Sequence, residues 1–295
     1  MVEKSTPSRV VFNGFNYAYM ILVCIICLAP LWHVFVSSLS NPRELMMTSG
    51  LLFWPVGEAT LDGYRIVLSN PTIFMGYMNT LIYVTTTTLL GTTLTLIAGF
   101  CISRKTRYQK FMTIFILFTM LFSGGLIPSF IVNLSLGLIN NRMAIILPGV
   151  INAFFIILIK SAFEQLSPSY EESAKLDGAS PLKTMLWILI PLIKANIAVI
   201  VVFTVVLQWN SWFPASIYLQ RRRDLWPLQL FMREILVQHD IARIVTAADA
   251  RAAVDLGGSL VRYAVTIVGT LPILLVYPFA QKYFVKGVLL GGVKG

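Results

Sequence analysis

Six long intervals of the chain contain no Asp, Glu, Lys or Arg. They lie between Arg9 and Arg43, Arg65 and Arg104, Lys110 and Arg142, Arg142 and Lys160, Lys194 and Arg221, and Arg262 and Lys282. Each can hold roughly the 17–25 residues a helix needs to cross a bilayer. The shortest, Arg142 to Lys160, borrows from its flank, where Lys160 can snorkel. The runs are continuously apolar rather than alternating, and too long for tilted barrel strands, so they predict helices. Composition agrees, since 57% of the 295 residues are hydrophobic and 12% are charged, about half the ~25% charge content of soluble domains. A soluble chain of this size could not keep so much apolar surface from water, and a disordered one would be polar. The expected fold class is an all-α integral membrane protein with six transmembrane helices, at about 15–38, 77–102, 111–134, 142–163, 184–212 and 262–284.

The 23 basic and 13 acidic residues leave a net charge of +10, and their placement sets topology. With the N-terminus inside, the inner segments hold 13 basic and five acidic residues, so +8 of the +10 lies on that side. The tight Arg104–Lys110 loop is the strongest contributor, as expected of short basic loops facing the cytoplasm. Both termini are therefore expected to be cytoplasmic, and the positive charge gives no reason to expect a nucleic-acid partner. The first apolar run is too long for a signal peptide and lacks an A-x-A site, so it reads as an uncleaved helix. This divides the chain into a cytoplasmic 1–14, a first span with its outer loop at 15–76, five further spans over 77–284, and a cytoplasmic tail at 285–295. Residues 213–261 form a second outer loop, with a short polar helix expected over 241–261. Cys24-x-x-Cys27 lies inside an apolar run with no second pair, so the thiols read as small packing groups rather than metal ligands.

The loop 164–183 on the predicted inner side carries an unusual pattern, Ser167-Pro-Ser-Tyr-Glu-Glu-Ser-Ala-Lys-Leu-Asp-Gly-Ala-Ser-Pro181. Ser167 can cap a helix with Pro168 in its first turn, and Glu171 and Glu172 suit a helix start. Glu171 and Lys175 can pair at i,i+4, Gly178 ends the helix, and Ser180-Pro181 starts the next. The loop therefore predicts a short extramembrane helix joined to span five. Ser173 and Ala174 would give it small side chains that let a partner approach.

Glu172-Ser-Ala-x-x-Asp177-Gly178-Ala179, followed by Ile190-Pro191-Leu192, resembles the E-A-A-x-x-x-G loop of permease subunits of binding-protein-dependent ABC importers. Further likeness covers most of the chain: Asn79-Thr-Leu81, Gly125-Leu-Ile-Pro128, Ala144-Ile-Ile-Leu-Pro148, Gln208-Trp-Asn210, Leu225-Trp-Pro-Leu228 and the tail from Gln281 to Gly295. These features are similar to the carbohydrate-uptake, maltose-type branch, and within it to the lipoprotein- or polysaccharide-type sugar permeases. Ser173, Met185 and Ala195 depart from the family's usual Ala, aromatic and Pro.

The resemblance implies a homologous second permease subunit, two ATPase subunits, an extracytoplasmic solute-binding protein and a sugar substrate. It also implies that Glu171, Glu172, Ser173, Ala174, Asp177 and Gly178 dock the ATPase, with Glu172 making a charged contact and Gly178 permitting the turn. No G-x-x-x-x-G-K-[ST] pattern occurs, so no cofactor is expected in this chain, and ATP with Mg²⁺ is expected on the ATPase partner. Polar and aromatic residues within the spans form the candidate sugar path: Asn79, Asn133, Asn152, Gln208, Asn210, Trp209 and Trp212. Amides can bond sugar hydroxyls and indoles can stack on sugar faces; helix–helix hydrogen bonding is the competing role. A permease for a non-sugar solute and a self-contained secondary transporter are the alternative functions, but none of the six intervals holds the intramembrane acid typical of ion coupling.

Overall fold

The computed structural model describes residues 7–237 and 258–291. The described residues form helices and no strands: α1 Pro7–Ser38, α2 Pro42–Met47, α3 Asp62–Ser69, α4 Pro71–Ser103, α5 Gln109–Leu121, α6 Leu126–Ser135, α7 Met143–Val150, α8 Ala153–Glu164, α9 Ser169–Leu176, α10 Pro181–Leu192, α11 Lys194–Trp209, α12 Phe213–Tyr218, α13 Leu228–Val237 and α14 Ser259–Gly291. The helix expected over 241–261 falls mostly on 238–257, outside the described residues.

Among the described residues four helical stretches are long and apolar enough to cross a membrane: Pro7–Ser38, Pro71–Ser103, Met143–Glu164 and Leu260–Pro278. Two bent pairs, α5 with α6 and α10 with α11, raise the number to six if each pair is one span. The expected continuous helices at 111–134 and 184–212 are thus corrected to broken ones, bent by 111° and 82°. The first break sits at Gly125, whose φ of 86° and ψ of −177° are open essentially to glycine alone. The second follows Pro191, which has no N–H for the carbonyl one turn back. A π-helical stretch at Thr184–Leu189 precedes it, and Ile193 (φ −99°, ψ 18°) leaves the helix between the two halves.

The chain divides into two compact units, Met1–Pro71 with Met232–Thr270, and Thr72–Phe231 with Leu271–Gly295. In the first, most of α1 is exposed and apolar, with Val36, Ser37 and Ser38 buried at its end. Tyr64 Oη and Ser38 Oγ are 2.6 Å apart, and the Leu52 N–H donates to His33 Nδ1 at 3.0 Å.

In the second unit α4 is the axis. Its buried face follows a four-residue step through Thr87, Gly91, Thr95 and Gly99, the small-residue spacing that lets membrane helices approach. A Cβ on Gly91 would stand 2.8 Å from the Val150 carbonyl oxygen, and one on Gly99 would stand 2.6 Å from Ile159 Cγ2. Two apolar clusters flank this contact. One gathers Tyr83, Ala144, Ile145, Ile146, Val150, Tyr218, Leu219 and Leu225; the other gathers Phe155, Ile159, Phe163, Met185, Leu189 and Ile200. The second cluster supports α9.

Candidate functional site

α9 is closed at its C-terminal end by its own groups. Its start lies two residues after the expected cap, Ser167, whose Oγ accepts the Ser169 N–H at 3.4 Å. At its end Gly178 takes φ 75°, the Gly178 N–H donates to the Lys175 carbonyl at 3.1 Å, and the Ala179 N–H donates to the Ala174 carbonyl at 2.9 Å. This paired closure is the Schellman arrangement, and it requires a left-handed residue where glycine carries no Cβ penalty. Ser180 Oγ then accepts the Lys183 N–H at 3.4 Å and starts α10.

The loop residues do not all face the same way. Ala174, expected to face a partner, is buried, and α9 packs against Thr184–Leu189 of α10. That corrects its role: its small size fits the chain to itself. Glu171 is half-buried and pairs with Arg104, from the turn between α4 and α5, in place of the expected Lys175. Arg104 also lies over the Phe100 ring, 4.3 Å from its centre. Burial lowers the Arg104 pKa from its ordinary value. A second tie joins the start of α5 to the end of α8, where Gln109 Nε2 donates to Glu164 Oε1 at 3.1 Å. Glu172, Ser173, Asp177 and Gly178 are exposed, as are Tyr170 and Leu176, the latter 89% exposed. A Cβ on Gly178 would meet nothing within 4 Å.

The candidate sugar-path residues separate into two groups. Asn79 is buried and fully used: Nδ2 donates to the Asp224 and Trp226 carbonyls at 2.8 and 3.0 Å, and Oδ1 accepts from Arg142 Nη2 at 2.8 Å. With Tyr83 Oη donating to the Leu225 carbonyl at 2.6 Å, it pins the turn at 223–226 to α4. Trp209 is buried near Tyr77, with ring centres 6.1 Å apart, and Trp212 packs on the first apolar cluster. Neither indole lines a cavity described below. Asn210 is exposed and donates back to the Val206 carbonyl at 2.9 Å.

Asn133, Asn152 and Gln208 do face cavities. Asn133 and Gln208 line one of about 540 Å³, together with Ser129, Gly149, Ser211 and Tyr218. Asn152 and Gln208 line a second of about 210 Å³, where Asn152 also caps α8 by accepting the Phe154 N–H at 3.0 Å. Ser129, Ser211 and Tyr218 were not singled out from sequence; Ser and Tyr are too common near span ends to signal a cavity. Arg142 carried a better clue, as the lone charge between two apolar intervals.

These features define a helical protein with several helices long and apolar enough to cross a membrane and a short helix, α9, joining two of the candidate spans. Residues 91–290 match the family described as "Binding-protein-dependent transport system inner membrane component", and the chain belongs to that family. It is 34% identical over 290 residues to the Polygalacturonan/rhamnogalacturonan transport system permease protein YtcP of Bacillus subtilis (strain 168), covering 96% of this chain and 98% of the relative. It is 36% identical over 296 residues to Protein LplC of the same organism, covering 99% and 97%. Among solved structures, a bacterial ABC transporter involved in the import of the acidic polysaccharide alginate aligns with a TM-score of 0.87 and 28% identity, covering 96% of this chain and 100% of that one.

Proposed function

We propose that this chain is the transmembrane permease subunit of an ATP-driven importer for an oligosaccharide, and that α9 is the coupling helix through which a separate ATPase moves it. The observation that carries this reading is α9 itself, with its closed C-terminal end and exposed Glu172, Ser173, Leu176 and Asp177. An exposed leucine among charged groups on a rigid helix suits a protein groove better than water. The saccharide rests on the relatives, whose names carry polygalacturonan, rhamnogalacturonan and alginate.

In this reading the chain has six spans with both termini cytoplasmic, as the distribution of Lys and Arg favours. The complex contains a homologous second permease, two ATPase subunits that bind ATP and Mg²⁺, and an extracytoplasmic binding protein that delivers the solute. Closure of the ATPase pair displaces α9. The Glu171–Arg104 pair passes that movement to the turn between α4 and α5, and the packing of Ala174 passes it to α10. The bends at Gly125 and Ile193 separate short rigid rods, so rocking can switch the cavity between the two sides.

Co-expression with a second permease, an ATPase and a binding protein tests this. A four-component complex is expected to copurify and, in proteoliposomes, to take up radiolabelled maltotriose or trigalacturonate only with ATP and the binding protein. A chain that purifies alone and moves either sugar without an ATPase would overturn the proposal.

A further inference from the structure

Between Glu44 and Glu58 the chain carries no Asp, Glu, Lys or Arg. This interval begins in α2 and continues as a stretch without helix or strand over 48–57. The stretch is pinned to α1 step by step. The Thr60 N–H donates to the Leu39 carbonyl at 2.8 Å, the Asn41 N–H donates to the Val56 carbonyl at 2.9 Å, and the Val56 N–H donates to Ser40 Oγ at 3.1 Å. Further along, the Leu52 N–H donates to His33 Nδ1 at 3.0 Å, and Trp32 Nε1 donates to the Phe53 carbonyl at 3.0 Å. From Thr60 to Leu52 the partners therefore recede from 39–41 to 32–33, and the segment folds back along the last turns of α1. Trp32 and His33 stand six and five residues before Ser38, so at 1.5 Å per residue the segment reaches roughly 7–9 Å back from the helix end.

The side chains at the far point of this fold-back are apolar and exposed. They are Leu51, Phe53 and Trp54, the last 78% exposed. They lie beside the exposed apolar surface of α1 at Leu28, Leu31, Trp32 and Phe35, on a helix long and apolar enough to span a membrane. Charge is kept at the opposite end of the loop. Arg43, Glu44 and Glu58 are exposed there, and the Glu44 carboxylate lies over Gly57, where a Cβ would stand 2.5 Å from Oε1. Three features favour lipid over a protein partner. The apolar tip continues a membrane-spanning surface, no charge lies within it, and several of its backbone groups are already spent on α1. Indole is also favoured at the headgroup level of a bilayer. Irregular backbone is not tolerated bare in hydrocarbon, which limits the depth to the ~5–10 Å of the headgroup and acyl boundary.

We propose that residues 51–54 are an interfacial anchor: the segment seats Leu51, Phe53 and Trp54 among the phospholipids of the leaflet around the C-terminal end of α1. It fastens that end of α1 to one depth in the bilayer without crossing it. With the N-terminus cytoplasmic, as proposed above, this is the outer leaflet.

The test uses the complete importer in proteoliposomes of phosphatidylethanolamine and phosphatidylglycerol. Cys24, Cys27 and Cys101, all exposed, are replaced by Ser. A nitroxide is then attached at Trp54→Cys, at Leu51→Cys or, as the aqueous control, at Glu58→Cys. Dissolved oxygen, which concentrates in lipid, is expected to relax the labels at 51 and 54 several-fold more than a neutral nickel chelate does, and the order is expected to reverse at 58. A nickel effect that equals or exceeds that of oxygen at 51 and 54 would mean that the segment stands in water. Labels that neither agent reaches would mean that another subunit covers it. Either result overturns the anchor. Should the labelled variants fail to assemble, the conservative Trp54→Phe decides. With lipids brominated near the top of the acyl chain, the unmodified complex is expected to lose a larger fraction of its tryptophan emission than Trp54→Phe does, and equal fractions overturn the proposal. Sidedness is read separately, by labelling Glu58→Cys with an impermeant maleimide in right-side-out vesicles. Reaction only after permeabilisation would overturn the topology and the assignment to the outer leaflet, and leave the depth of the anchor to the other arms.

Discussion

At the scale of single residues, the proposed coupling region depends on one ion pair and one backbone conformation. Arg104 and Glu171 are each about a quarter exposed, so their attraction is only partly screened. Arg104→Glu is expected to lower uptake roughly tenfold, the effect of ~1.4 kcal/mol, and the double change Arg104→Glu with Glu171→Arg is expected to restore most of it. Failure of the double variant to recover would mean that the pair is not the mechanical link. Gly178 gives a second prediction. Its φ of 75° costs an ordinary residue roughly 1–2 kcal/mol, but no neighbour within the chain crowds a side chain there. Gly178→Asp is therefore expected to leave the complex assembled while uncoupling ATP hydrolysis from uptake, because on the proposed docking the new charge faces the ATPase and meets no group of this chain. Normal uptake by that variant would remove Gly178 from the docking surface. The C-terminal end of α9 and the start of α10 were legible in the sequence because caps are local: Gly178 and Ser180 act within a few residues of themselves, whereas the helix starts two residues beyond Ser167. The partner of Glu171 was not legible, because Arg104 belongs to a different interhelical turn and competes with the nearer Lys175. Asn79 misled for a related reason. Its partners are mostly the carbonyls of Asp224 and Trp226, and a backbone acceptor leaves no mark in a sequence.

At the scale of elements, charge-free intervals located the helical spans but not their breaks. Hydropathy sums over a window and is blind to direction, so α5 with α6 reads the same whether straight or bent by 111°. The Gly124-Gly125 pair and Pro191 were visible as breakers, yet how far each bend opens depends on what packs beneath it. The four-residue step of small residues along α4 was equally visible in retrospect, as Gly91, Thr95 and Gly99. It yields a stability prediction. Gly91→Leu drives a side chain into the Val150 carbonyl, and backbone cannot rotate away as a flexible side chain can. Overpacking of this kind costs roughly 1–3 kcal/mol, so the unfolding midpoint in detergent is expected to drop by several degrees. An unchanged midpoint would show that α4 and α7 can move apart freely.

At the scale of the whole molecule, family membership rests on 200 residues matched over 91–290 and on relatives aligned nearly end to end. The composition placed the chain in a membrane; the pattern around Glu172 and Gly178 gave it a task. Neither could show that α4 is held at both ends. Near one end Asn79 and Tyr83 fix the 223–226 turn, and just beyond the other Arg104 holds α9. The helix has 33 residues, about 50 Å at 1.5 Å per residue, against a hydrocarbon layer of ~30 Å. A strut so much longer than the layer it crosses must lean or protrude, and lipid thickness sets its lean. Because both ends are fastened, any change of lean displaces the 223–226 turn and α9 together. Acyl-chain length thus becomes a control on transport: uptake per complex, measured in vesicles of increasing chain length at constant fluidity, is expected to pass through a maximum, and the Arg104→Glu variant is expected to flatten that curve.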